Sequence, residues 1–166
     1  MSSDEMVQSF AEMRLFLGMS EAVLCQLATF AELRRYAADE VLFYEGTCCA
    51  ELLLLRQGKV QLQMRVPGHG SIPILTLGPG QLVAWSAVLR TGEMTTSAVA
   101  LEKTEALVMS GAKLKELCEQ DRDFGYRFME RLAGALGRRL VATRLQLLDL
   151  FANETPRISV EEEQRA

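Results

Sequence analysis

Residues 51–77, ELLLLRQGKVQLQMRVPGHGSIPILTL, decide the fold. The apolar run Leu52 to Leu55 stops at Gln57-Gly58. Beyond it Val60, Leu62, Met64 and Val66 alternate with Gln61, Gln63 and Arg65. A period of two belongs to a strand with one buried and one wet face, because successive strand side chains point to opposite sides. Pro67-Gly68-His69-Gly70 then reads as a hairpin loop, and Ile72 to Leu77 as the returning strand.

The same punctuation extends on both sides. Upstream, Val41-Leu42-Phe43-Tyr44 ends at Glu45-Gly46, so short apolar runs with glycine at their corners fill the chain from Leu33 to Met109. That spacing predicts an antiparallel roll or barrel. Residues 6–31 read as two helical pieces broken at Gly18-Met19-Ser20. Ser20 is placed to cap the second, with Glu21 in its first turn and Val23, Leu24, Leu27 and Phe30 on one face.

After Ser110 the period becomes helical. Ser110-Gly111-Ala112-Lys113 opens a short helix through Leu117, and Asp121 is placed to cap a long one reaching about Asn153. At 1.5 Å per residue that helix is roughly 48 Å long, more than a small domain is wide, so part of it must project or meet a partner. Met129, Leu132, Leu136, Leu140, Thr143, Leu147 and Leu150 step by three or four, with Val141, Leu145 and Leu148 beside them. One stripe is expected on the roll and the other on a symmetry mate, with Leu132, Leu136, Leu140, Thr143, Leu147 and Leu150 as the dimer seam. Burial on two sides within one chain is the alternative. Ala133, Gly134 and Gly137 allow close backbone approach, although each glycine costs the helix about 1 kcal/mol against alanine. The expected organisation is a lead-in at 1–11, a β-roll at 12–120, the dimerisation helix at 121–153 and a flexible tail at 154–166.

Bulk numbers bound the function. The 166 residues suit one core, and 49% hydrophobic with 24% charged residues is ordinary for a globular protein. A net charge of -4 argues against direct DNA binding, which needs concentrated Lys and Arg. No apolar run approaches the roughly 20 residues that span a bilayer, and MSSDEMVQSF lacks the basic and apolar regions of a signal peptide, so a cytoplasmic protein without membrane contact is expected. Cys25, Cys48, Cys49 and Cys118 form no CxxC pair; they read as reduced packing or loop thiols, with a redox role as the alternative. His69 is the lone histidine and sits at a loop tip. With no nucleophile, base or metal set around it, and no Lys-Ser/Thr after Gly78-Pro79-Gly80, neither catalysis nor a metal site is expected.

Five stretches, in order and at their spacings, carry a family resemblance: LFLGMSEAVLCQLATFAELRRYAADEVLFYEGT, ELLLLRQGKVQL, LTLGPGQLVAWSAVL, SAVALEKTEALVMS and LGRRLVATRLQLLDLF. Over roughly residues 12 to 152 the chain resembles the cyclic-nucleotide-binding domain of catabolite-activator-type regulators, kinase regulatory subunits and nucleotide-gated channels, which implies an eight-stranded, jelly-roll-like antiparallel β-roll in an α+β fold. The family's phosphate cassette typically reads F-G-E-L-A-L-L, with an Arg nine residues after the Glu and a small or hydroxyl residue following. Backbone N–H groups cradle the cyclic phosphate, the Arg neutralises it, and the Glu binds the ribose hydroxyl. The resemblance puts Val83, Ala84, Trp85 and Ser86 in the cassette. Trp85 stands at the Glu position and Met94 at the Arg position, with Thr95 and Thr96 at the small or hydroxyl positions. Loss of the guanidinium removes charge-assisted hydrogen bonds of about 1.5 to 3 kcal/mol each, so ordinary cyclic AMP binding is not expected.

On the long helix, Arg138-Arg139-Leu140 matches a family Arg-Arg-Leu. That match puts Thr143 at the purine-contact position with Arg144 beside it; a polar place inside the dimer seam is the other reading of Thr143. Arg138, Arg139 and Arg144 read either as a solvated face or as a replacement phosphate clamp. About a dozen residues follow the helix, fewer than a helix-turn-helix needs, so output through a protein partner is expected. The leading expectation is a homodimeric sensor for a cyclic nucleotide, cyclic dinucleotide or other anionic effector. Its rival is a ligand-free interaction module whose pocket is filled by Trp85 and Met94.

Overall fold

The computed structural model describes residues 1–89 and 92–154. Two helices, α1 (Ser3–Glu12) and α2 (Glu21–Ala28), precede strands β1 (Ala31–Tyr36), β2 (Val41–Phe43), β3 (Glu51–Gln57), β4 (Val60–Val66) and β5 (Gly70–Leu77). A short helix α3 (Ser86–Leu89) follows, then β6 (Ser97–Ala100), β7 (Thr104–Ser110), α4 (Gly111–Gln120) and α5 (Arg122–Glu154). The strands form two antiparallel sheets, ordered β1-β7-β3 and β2-β6-β4-β5. The jelly-roll-like α+β architecture read from the sequence is therefore present. It is built from seven strands among the described residues rather than eight, with isolated bridges at Cys48–Glu93 and Leu54–Leu82.

The sheet β1-β7-β3 is a shared wall between two cores. Strand alternation sends Leu52 and Leu54 of β3 and Leu107 and Met109 of β7 to the helices. Their neighbours Leu53, Leu55, Ala106 and Val108 point into the roll. On the helical side Phe10 meets Phe16 edge-on at 5.1 Å between ring centroids, and Phe128 stacks on Phe16 at 6.0 Å and on Phe124 at 5.6 Å.

Helix boundaries follow their caps. Ser20 accepts from the Val23 amide, Ser110 from the Lys113 amide, and the Asp121 carboxylate from the Phe124 amide at 2.9 Å, which starts α5 where the sequence placed it. The expected lead-in at 1–11 is helical from Ser3: Ser2 and Glu5 form a reciprocal capping box, and α1 buries Met6 and Phe10 in the helical core. The box S-x-x-E was readable at positions 2–5. The 33 residues of α5 extend about 50 Å. The expected tail at 154–166 lies outside the described residues after Glu154.

The deciding hairpin pairs Val66 with Gly70 around Pro67-Gly68-His69, with φ +78° at Gly68. Val60 and Leu62 are buried whereas Met64 is exposed, so alternation buries only the first half of β4 and the hairpin tip overhangs the roll. Glycine is obligatory at the β3–β4 turn, where Gly58 has φ +85° and a Cβ would stand 2.5 Å from the Thr104 hydroxyl.

Candidate functional site

The cassette begins as an attachment to β3. Leu77 ends β5, and the corner Gly78 to Gln81 closes on itself, the Gln81 side-chain carbonyl accepting from the Gly78 amide at 2.7 Å. The Gly80 amide donates to the Leu55 carbonyl, the Leu55 amide to the Gln81 carbonyl, and the Val83 amide to the Leu53 carbonyl. Ala84 and Trp85 then hand the chain to α3. That helix lies tight against the start of α4: a Cβ on Gly111 would stand 2.3 Å from the Ala87 carbonyl oxygen.

Side chains of this segment divide between the two cores. Val83, Ala84 and Met94 belong to the roll interior with Leu62 and Leu75 packed nearby, and Met94 is only 3% exposed. Its backbone is fixed on both sides, the amide donating to the Thr47 carbonyl at 2.9 Å and the carbonyl accepting from the Gly46 amide at 2.8 Å. Trp85 is half-buried and packs against the helical core instead. The expectation that Trp85 and Met94 fill one pocket is thus corrected: Met94 faces into the roll and Trp85 away from it. Ser86 is buried at the start of α3, Thr95 is exposed and Thr96 half-buried.

From α5, Arg139 reaches the cassette by donating from Nη2 to the Leu82 carbonyl. Burial pulls its pKa down to about 10, the sign of a cation held away from water. Of the three helix arginines noted in the sequence this is the one brought to the cassette; Arg138 and Arg144 are exposed. The Arg-Arg-Leu spacing flagged the group, but periodicity alone did not single out Arg139. The Thr143 hydroxyl donates to the Arg139 and Leu140 carbonyls of its own helix at 2.8 and 3.0 Å, so it is engaged without a ligand.

The expected seam is divided. Leu132 is fully buried in its own chain's core and so is not a free interface residue, Leu136 and Thr143 are half-buried, and Leu140 is exposed. The side chains of Leu147 and Leu150 lie outside the described residues. The exposed apolar stripe is the second one: Val141, Leu145 and Leu148, each more than half exposed at 54%, 57% and 61%.

Beyond the cassette, Arg34 binds the carboxylates of Glu51 and Glu32, while Glu105 is held by Arg35 and Arg56. Hydrogen bonds from Arg34 and Arg35 hold the Glu51 and Glu105 carboxyls below the ordinary range. The cysteines are unbridged, Cys25 and Cys48 exposed and Cys49 and Cys118 half-buried. Among the described residues, no cluster of three His, Cys, Asp or Glu side chains is arranged to hold a metal, and no helix is long and apolar enough to cross a membrane.

Comparison with known proteins agrees with this geometry. The profile of the cyclic nucleotide-binding domain matches residues 33–121. The chain is 31% identical over 143 residues to the cyclic AMP receptor protein of Thermus thermophilus, covering 86% of this chain and 64% of that protein. The crystal structure of the Thermus thermophilus catabolite activator protein superposes with a TM-score of 0.66 at 30% identity, over 83% of this chain and 62% of that one. A cyclic nucleotide-binding domain from Methylobacillus flagellatus has the same fold, with a TM-score of 0.76 at 22% identity, over 89% of this chain and 83% of that one. The chain thus spans less than two thirds of the length of its Thermus relatives.

Proposed function

The chain belongs to the cyclic nucleotide-binding domain family, and from that premise we propose that it is a homodimeric regulatory sensor whose cassette no longer holds a cyclic phosphate. The observation that carries this reading is Met94, buried in the roll at the position where the family's arginine would meet the phosphate. A phosphate brought there would lose water and gain no cation, an arrangement that costs several kcal/mol unless the charge is paired. Cyclic AMP, cyclic GMP and cyclic dinucleotides are then poor effectors.

Dimerisation is supported by the exposed stripe Val141, Leu145 and Leu148 on a helix of 33 residues. Two copies of one stripe facing each other across a two-fold axis would bury it. The sensor's output passes through α5 to a protein partner rather than to DNA, a reading that the net charge of -4 supports. The free thiols support a cytoplasmic setting.

Two measurements test this. Sedimentation of the protein should give a dimer that Leu145→Arg converts to monomer. Thermal-shift titration with cyclic AMP, cyclic GMP and a cyclic dinucleotide at millimolar concentration should give no rise in melting temperature that originates in the cassette; a saturable rise with any of them that persists undiminished in Arg139→Met would overturn the reading of the cassette. The second reading, a ligand-free dimeric module, is favoured by the two backbone hydrogen bonds that fix Met94 in place. It differs in expecting no small-molecule response of any kind.

A further inference from the structure

A groove of about 1410 Å³ runs between α1, the Gly80–Leu82 end of the β5 corner and α5, and none of Val83 to Ser86 or Met94 to Thr96 lines it. That is room beyond the roughly 300 to 1,000 Å³ of a typical small-molecule site. Its arginines on α5 are Arg131, Arg138 and Arg139, and its acids are Asp4, Glu5 and Glu12 on α1 and Glu130 on α5; no ion pair joins the two helices among the described residues. Arg131 is tied down, donating to the Leu15 carbonyl. Arg139 is different. Its guanidinium carries five N–H donors, yet its one hydrogen bond among the described residues is to an uncharged carbonyl, that of Leu82.

A cation partly withdrawn from water, with a neutral carbonyl as its one protein partner, is an arrangement that an anion would relieve. Arg138, the next residue along, lines the same groove and is exposed. From these placements we infer that the groove between α1 and α5 binds a small phosphate-bearing ligand, with Arg139 as its anchor and Arg138 as a second cation. The inference rests on the reading of the chain as a sensor and supplies the effector site that the cassette lacks.

It also supplies a route for the signal. The guanidinium that meets the anion is the one that holds Leu82, and Leu82 precedes Val83-Ala84-Trp85 on the way into α3. An anion that draws Arg139 toward the groove loosens its bond to the Leu82 carbonyl, so ligand at α5 is felt at Trp85. Trp85 is the only tryptophan in the sequence, which makes the coupling visible in intrinsic fluorescence.

The test is a titration of the full chain with inorganic pyrophosphate, followed by Trp85 fluorescence, with sodium chloride added to the same ionic strength as the control. A saturable change is expected with pyrophosphate and none with chloride. Arg139→Met should weaken the apparent affinity about tenfold or more, the worth of a charge-assisted hydrogen bond, and Arg138→Gln should weaken it by less. Without pyrophosphate the Arg139→Met protein should melt no lower than the parent, since an apolar chain replaces a desolvated cation; this separates loss of binding from loss of folding. Identical curves for the parent, Arg139→Met and Arg138→Gln, or a chloride control that reproduces the change, would overturn the inference. Cyclic AMP in a parallel titration keeps the two ideas apart: if it binds parent and Arg139→Met equally, the reading of the cassette fails, whereas the groove is judged on pyrophosphate alone.

Discussion

The two faces of the sheet β1-β7-β3 are built from different materials. Toward the helices, Phe10, Phe16, Phe124 and Phe128 pack ring against ring around Leu52, Leu54, Leu107 and Met109. Toward the roll, Ala84, Ala98, Ala100 and Ala106 sit among Tyr36, Phe43, Leu53 and Leu55, and Met94 occupies the interior with them. Bulky rings give a layer whose shape is fixed; small residues give a layer whose shape depends on what is placed within it. The ring-against-ring contacts lie on the helical side, and the roll side combines four alanines with larger residues, so that a side chain such as Met94 is accommodated there within the same architecture.

The most damaging change should be Phe128→Ala, which removes the ring that joins two stacking contacts and costs about 3 to 5 kcal/mol in chemical denaturation. Met94→Ala should cost less, near the low end of the roughly 2 to 5 kcal/mol seen for buried methionine, because an unbranched thioether fills gaps without locking its neighbours. If Met94→Ala proved the more destabilising of the two, the contrast between the layers would be broken. Gly111→Ala sharpens it at the joint between them. The new Cβ would collide with the Ala87 carbonyl and push α3 off α4 at about 1 to 3 kcal/mol, with a change in Trp85 fluorescence as its signature.

The smallest effect is in acid. The Glu51 and Glu105 carboxyls titrate below the unfolded glutamate value of about 4.3, so their contribution is present above that pH and is lost as pH falls through the lower folded values. Glu51→Gln should make the acid limb of the stability profile shallower and leave neutral stability nearly unchanged, since the pair is partly exposed. An unaltered acid limb would show that Arg34 does not hold Glu51 in solution.

Periodicity carried the architecture because burial is what periodicity records. The alternation from Val60 to Val66, the caps at Ser20, Ser110 and Asp121, and the long helix were all legible, each being a local rule with a local cause. The site was legible as a departure: Trp85 and Met94 stood out against the family pattern, but their opposite directions depend on how α3 turns off β3, which no local rule encodes. The seam was half legible. Both stripes were visible on α5, yet which one the chain's own core consumes is decided by the crossing of α4 and α5, and Leu132 went to the core. Arg139 was hidden for a similar reason, since its partner is a backbone carbonyl 57 residues away.

Pro73 has a consequence of its own. It lies in β5, the strand at the open edge of the four-stranded sheet, opposite Gln63 where the pairing register slips. A proline there offers no N–H to a newcomer and the slip bends the rim, so another molecule's strand finds no continuous ladder to extend. The overhanging hairpin leaves Met64 and Ile72 exposed along that edge. One imino acid thus interrupts the ladder that an incoming strand would need at this edge.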